Sequence, residues 1–198
     1  MKKLFLMLFT LALLGGQSIA QSNDDYKKVE GFAGYSFESG ARLNGVNVSG
    51  VYNVTRYIGI KGDFSAAFKG ERVGYSNTVP AFDVSFRLNR SLYNVLGGIQ
   101  IKDNANKGRF KPFAHALFGV GVNHSRSSDF QCSPTANCST FVGGSGSSTG
   151  FASALGGGLD IRLNNRIQIR VIQLDYNPVT GVFGTTTHNL RFGAGIVF

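Results

Sequence analysis

Two cysteines, three histidines and a sparse set of charges on alternating segments are the groups in this 198-residue chain that could do chemistry. Cys132 and Cys138 lie six positions apart in a polar stretch. In an exported chain such a pair predicts a local disulfide. It would close a loop of about seven residues, worth roughly 2–2.5 kcal/mol on the chain-entropy model. Zinc would need further ligands, and His124 is the nearest histidine. A lipid hydrolase would need a Ser and a His within hydrogen-bond reach of one another. No histidine here has a serine two positions away: His115 is flanked at that distance by Phe113 and Leu117, and His188 by Thr186 and Leu190. Gly156-Gly157-Gly158 is not a phosphate loop, because no Lys-Ser/Thr follows it and no helix is expected there. It reads as a strand bend or a tight lumen. The chain is therefore expected not to be an enzyme and to need no metal or cofactor.

The charges are more telling. Lys61, Asp63, Asp160, Arg162, Arg170, Asp175 and Arg191, with His115, fall on the small and polar rows of alternating segments. The formal net charge is +9, or +7 once Lys2 and Lys3 are set aside with the leader described below. The basic residues are scattered, with no cluster of interleaved aromatics, so nucleic acid is not an expected partner.

What must position these groups is a set of strands. Residues 1–20 read as a secretory signal: Lys2 and Lys3, an apolar run from Leu4 to Leu14, then Ser18 and Ala20 before a cut ahead of Gln21. Residues 21–198 then form one domain. Beyond the leader no apolar run reaches 18 residues, so no spanning helix is expected. Gly (27) and Phe (17) are abundant and Pro (4) is scarce, which suits an all-β domain rich in turns. Period-two patterning appears over 29–37, 46–54, 58–68, 92–101, 110–122, 154–162, 167–175 and 189–198. In 167–175 Gln173 and Asp175 change face, which predicts a bulge near Ile172.

Eight strands of about 9–12 residues match the ~9–11 that a membrane-crossing strand needs. One face is uniformly apolar; the other mixes Gly, Ala, Ser and Asn with single charges. A soluble barrel would give the same alternation with its apolar rows turned inward. The low charge and small residues of the second face favour a narrow lumen. So does the expected run of connections: short at 55–57, 102–109 and 164–166, long at 38–45, 69–90, 123–149 and 177–187. Parity gives three-residue hairpins between Val54 and Ile58 and between Leu163 and Ile167, and sets Asp160 opposite Arg170. Residues 77–90 alternate too, with Phe82, Val84, Phe86 and Leu88. A ninth strand would make the count odd, so they are assigned to the second long loop as a strand extension above the membrane. The expected fold is an all-β, eight-stranded, antiparallel, up-and-down transmembrane β-barrel.

The chain closes with Leu190, Phe192, Ala194, Ile196 and a final Phe198 on one row. With the signal and the eight strands, this resembles the small OmpA/OmpX-type outer-membrane barrels; residues 113–119 are also similar to small porin-family barrels. The resemblance implies a location in the outer membrane of a diderm bacterium, reached through the periplasm. It also implies a C-terminal signal read by the barrel assembly machinery, contact with membrane lipid and lipopolysaccharide, and a monomer. The OmpA pattern continues into a peptidoglycan-binding domain, which is not implied here. The expected role is structural or surface interaction through the long loops, with an extracellular partner at 123–149. The alternatives are a narrow pore for small solutes and a soluble periplasmic or secreted barrel holding an apolar ligand.

Overall fold

The computed structural model describes residues 26–78, 81–133, 143–164, 166–181 and 186–198. The expected signal segment and Cys138 lie outside the described residues. The strands are β1 (Val29–Glu38), β2 (Leu43–Asn53), β3 (Ile58–Thr78), β4 (Ala81–Lys102), β5 (Phe110–Ser133), β6 (Ser145–Arg162), β7 (Gln168–Tyr176), β8 (Val179–Gly181), β9 (Thr186–Thr187) and β10 (Leu190–Val197). Eight of them close a ring in the order β1-β2-β3-β4-β5-β6-β7-β10, every neighbour antiparallel, with β10 returning to β1. The short β8 and β9 form a side ribbon on β6.

The two faces of the wall differ in chemistry. Outward stand Val46, Val48, Ile60, Val95, Ile99, Val120 and Ile169, all exposed, with Val95 at 62%. Inward stand Lys61, Asp63, Asp160, Arg170 and Arg191, all under 5% exposed. In water this arrangement would leave the apolar belt uncovered and the charges desolvated. In a bilayer a closed ring satisfies every ladder hydrogen bond, and the belt faces hydrocarbon. The soluble-barrel alternative needs the apolar rows inside, and they are outside. The molecule is a transmembrane β-barrel.

Turn chemistry sets the ends. Val54 N–H donates to the Ile58 carbonyl (2.9 Å) and Leu163 N–H to the Ile167 carbonyl (3.1 Å), closing two three-residue hairpins. The Asn164 side-chain oxygen accepts from the N–H groups of Arg166 and Ile167, both at 2.8 Å. Beside the first turn, Arg56 donates to both oxygens of Asp103 (2.9 and 3.0 Å), which holds that carboxyl below its usual range. On β7 the register slips opposite Leu159 and Asp160, so that Val171 and Ile172 both face out and Gln173 and Asp175 face in.

Three expectations about connections need correction. The 38–45 segment is no long loop: β1 and β2 are joined by residues 39–42, where Arg42 adopts φ 52°. The stretches 69–90 and 123–149 are largely strand. β3, β4, β5 and β6 run for 21, 22, 24 and 18 residues, so strands of 9–12 describe only part of the wall. Residues 81–90 continue β4 in register with β3, from Lys69 against Arg90 to Thr78 against Ala81. They are thus an extension of a barrel strand. The result is a four-stranded sheet standing beyond the ring on the side opposite the short turns.

Candidate functional site

The lumen is filled in two layers. The first is a side-chain network. Lys102 Nζ donates to Glu30 (2.7 Å), Asp160 (2.9 Å) and Gln168 (3.1 Å). Arg170 grips Asp160 through Nε (2.8 Å) and Nη2 (3.1 Å) and donates through Nη1 to Gln173 (2.8 Å). Its guanidinium lies between two rings, 3.9 Å from the centroid of Phe113 and 4.4 Å from that of Phe32. Gln173 Nε2 donates to Asp175 (2.7 Å), which also accepts from Arg191 Nε (2.9 Å) and Nη2 (2.7 Å). Arg191 Nη1 reaches across to Asp63 (2.8 Å), and Asn47 donates to the same oxygen (3.0 Å).

Lys61 Nζ donates to His115 Nδ1 (3.2 Å). That bond leaves the imidazole proton on Nε2. Nε2 lies 3.0 Å from Asp175 Oδ1, though too far off line to count as a hydrogen bond. The Lys61 ammonium is 3.9 Å from Asp63 Oδ2. Glu30 (β1), Asn47 (β2), Asp63 (β3), Lys102 (β4), His115 (β5), Asp160 (β6), Asp175 (β7) and Arg191 (β10) thus join all eight barrel strands through side chains.

The structure brings together seven of the eight groups expected in the lumen. Arg162 is not among them. It lies at the mouth by the short turns, half-buried, and donates to the Lys107 carbonyl. At the end of β6 the wall no longer shields a cation, and a backbone acceptor is in reach. Glu30, Glu38, Lys102, Lys111, Gln168 and Gln173 are buried in the lumen as well and lie outside the expected set. Their parity was available: all stand on inward rows. Lys102 falls in the expected 102–109 turn because nothing in its neighbours marks where β4 stops. With these groups included, five buried carboxylates (Glu30, Glu38, Asp63, Asp160 and Asp175) face five buried cations (Lys61, Lys102, Lys111, Arg170 and Arg191). Formal charge inside the lumen therefore balances among the described residues.

The second layer lies toward the protruding sheet. Asn94 Nδ2 donates to Ser65 (3.2 Å) and Asn177 (3.3 Å) across the bore. Leu43, Ala67, Leu92, Leu96, Leu117, Ala152, Ala154 and Val179 pack together beside it, nearly all solvent excluded. Among the described residues, this apolar cluster stands over the salt-bridged layer.

The outward row of Leu190, Phe192, Ala194, Ile196 and Phe198 is exposed along β10. Phe198 exchanges both backbone hydrogen bonds with Gly31 (2.8 and 2.9 Å), and its ring covers that glycine. Cys132 is near the end of β5 opposite Val84, and no described cysteine is a free thiol. His124 Nδ1 meets Ser147 Oγ at 2.7 Å across β5 and β6. Spacing along one strand could not show this pair, because it forms across strands.

A closed eight-stranded ring with an apolar outer belt, a lumen lined by buried polar side chains, short turns at one end and long hairpins at the other defines a small barrel of the bacterial outer-membrane type. No protein-family model matches the chain, and no curated protein sequence does. Among solved structures it is similar to Ail, the attachment invasion locus protein of Yersinia pestis, in complex with the heparin analogue sucrose octasulfate: 18% identity, 86% of this chain and 96% of that one, TM-score 0.49. It is also similar to Neisserial surface protein A (12%, covering 85% and 94%, TM-score 0.48). A third similar structure is the N-terminal β-barrel domain of Pseudomonas aeruginosa OprF (11%, covering 87% and 98%, TM-score 0.42).

Proposed function

We propose that this protein works at the cell surface through its protruding sheet, as a structural or partner-binding barrel rather than as a channel or an enzyme. The observation that carries this reading is the contrast between a lumen filled from wall to wall and hairpins that run far past the ring. β5 has 24 residues, more than twice what a crossing needs. Backbone invested beyond the bilayer is where a scaffolded surface meets partners. Residues 123–149 are the segment for an extracellular partner. The lipid belt and anionic lipopolysaccharide are the membrane partners, and the chain acts as a monomer. The exposed C-terminal row is the segment the barrel assembly machinery would read, after residues 1–20 have been removed as an export signal.

The Cys132–Cys138 disulfide belongs to the same proposal. It would restrain the tip of the β5–β6 hairpin and lower the entropy cost of meeting a partner. Labelling intact cells with a membrane-impermeant maleimide tests both the bridge and the topology. Labelling only after reduction is the expected result. Reaction before reduction would mean free thiols. Silence after reduction, with denatured protein still reactive, would put the hairpin on the periplasmic side.

The narrow-pore alternative predicts current. In planar bilayers the expected result is no stable large conductance, since ions would have to pass both the Leu92, Leu96 and Leu117 layer and the Arg191–Asp63 contact. A steady open level would overturn the plugged reading.

A further inference from the structure

The buried charges of the lumen balance as a whole but not along its length. At the short-turn end Lys102, Lys111 and Arg170 stand with Glu30 and Asp160. Toward the hairpins Lys61 and Arg191 stand with Glu38, Asp63 and Asp175. Arg162 adds a further cation at the short-turn mouth. That mouth therefore carries an excess of at least two positive charges. In outer-membrane barrels the short turns face the periplasm.

The excess sits on neighbouring inward rows. Lys102 pairs with Phe113, which makes Lys111 its diagonal neighbour. Lys111 pairs with Asp160, which makes Arg162 the next diagonal neighbour. Diagonal neighbours lie about 7–8 Å apart. The Asp160 carboxylate is already taken by Arg170 and Lys102. Lys111 Nζ donates to the Asn104 carbonyl (3.3 Å) and Arg162 to the Lys107 carbonyl. Both acceptors are neutral and belong to the 103–109 turn. Among the described residues neither cation has a carboxylate within ion-pair distance.

Asn104 completes the group. Its N–H donates to the Arg56 carbonyl (3.0 Å), as that of Lys102 does to the Tyr57 carbonyl (2.9 Å). The ladder thus runs two residues past β4, and Asn104 keeps the inward row of Lys102. Asn104 is 8% exposed, yet neither its side-chain oxygen nor its side-chain nitrogen has a hydrogen-bond partner. A buried amide unpaired at both ends calls for a partner. Water can satisfy the amide but not the uncompensated cations beside it. An oxyanion does both.

The amide also selects among oxyanions. One of its ends donates and the other accepts. Sulfate and ionised carboxylate only accept. Phosphate near neutral pH keeps a hydroxyl beside its charged oxygens. It can accept from Lys111, Arg162 and Asn104 Nδ2 and donate to Asn104 Oδ1. A phosphodiester lipid head group has no such hydroxyl, and the inward row faces away from the lipid belt.

We propose that Lys111, Arg162 and Asn104 form a binding site for inorganic phosphate at the short-turn mouth of the barrel. The site lies at the opposite end from the protruding sheet and does not depend on the surface reading.

The test uses the protein folded in a maltoside detergent, which carries no phosphate. Equilibrium dialysis against labelled phosphate or labelled sulfate, at fixed ionic strength and neutral pH, reads the binding. Wild type should hold one phosphate per chain at least tenfold more tightly than sulfate. Charge alone would favour sulfate, which is doubly ionised throughout, so this order reports the hydroxyl. Asn104→Ala keeps every charge and should abolish the preference. Arg162→Gln should weaken both anions at least tenfold. Both residues lie outside the salt-bridged layer, so both variants should keep the wild-type far-ultraviolet circular dichroism. If a variant fails to fold, the wild-type ratio of phosphate to sulfate still decides the case. Equal affinity of wild type for the two anions would overturn the proposal. So would phosphate binding left unchanged by Arg162→Gln. Displacement of labelled phosphate by phosphatidylglycerol in mixed micelles would also overturn it, because the occupant would then be a lipid head group.

Discussion

Replacing Arg191 with alanine should lower the stability of the folded barrel by about 3–5 kcal/mol, the largest loss expected from any single truncation in the lumen. Arg191 is 1% exposed and holds two carboxylates at once, Asp175 and Asp63, at 2.7 to 2.9 Å. Glu38 stands directly opposite it in the ladder. Removing the guanidinium leaves buried negative charge with Lys61 and His115 as the nearest compensation. Such a loss comes mainly from stranded charges, not from the missing attraction. Adding Asp63→Asn and Asp175→Asn to the alanine variant should therefore recover a good part of it. Urea unfolding in detergent, followed by far-ultraviolet circular dichroism because the chain has no Trp, provides the readout. An alanine variant as stable as wild type would mean that water reaches this layer freely.

Arg170→Ala should cost less, about 2–3 kcal/mol, although Arg170 makes just as many contacts. The difference is its partner. Asp160 keeps Lys102 Nζ at 2.9 Å when Arg170 is gone, so no carboxylate is abandoned. What disappears is the two-point grip on Asp160 and the guanidinium plane packed between Phe32 and Phe113. Lysine at this position should restore little, because an ammonium can neither bind in two places at once nor stack. If Arg170→Lys unfolded at the wild-type urea concentration, the stacking account would be wrong. If Arg170→Ala itself were neutral, Arg170 would have to face water, and the inward assignment of that part of β7 would fail.

The barrel was legible in the sequence wherever a lipid-facing row forced period two. Val46, Val48 and Tyr52, or Val95, Ile99 and Ile101, have to be apolar because hydrocarbon touches them, and the intervening residues follow by parity. The protruding hairpins were obscure for the opposite reason. Above the belt nothing oily touches the outward row, which becomes Ser91, Asn89 and Arg87. The apolar residues of β4 shift to the inward row as Leu88, Phe86 and Val84, without any bulge in β4 itself. Phe86 stacks on Phe130 at 5.2 Å there, on the inner face. A change of phase like this looks, in one dimension, like a new element, so the outer part of β4 reads as a strand extension inside a long loop and not as the same strand. The plug was hidden differently. Leu96 and Leu117 lie between apolar neighbours on the other face, and a residue type that suits both lipid and lumen carries no directional information.

The network that ties all eight strands together also has a history written into its signs. Taken as hairpins, the buried lumen groups do not balance. The β1–β2 pair contributes two carboxylates, Glu30 and Glu38, and no cation. The β3–β4 and β7–β10 pairs each carry one more cation than carboxylate, and only β5–β6, with Lys111 and Asp160, is even. In this chain the loss of one hairpin, other than β5–β6, would leave a buried charge defect that no backbone pairing could mend. Neutrality arrives only when the first strand meets the last. A chain that stalls before closure keeps an electrically mismatched interior, which stays open to water and to periplasmic proteases. Its unit of inheritance is therefore the whole ring.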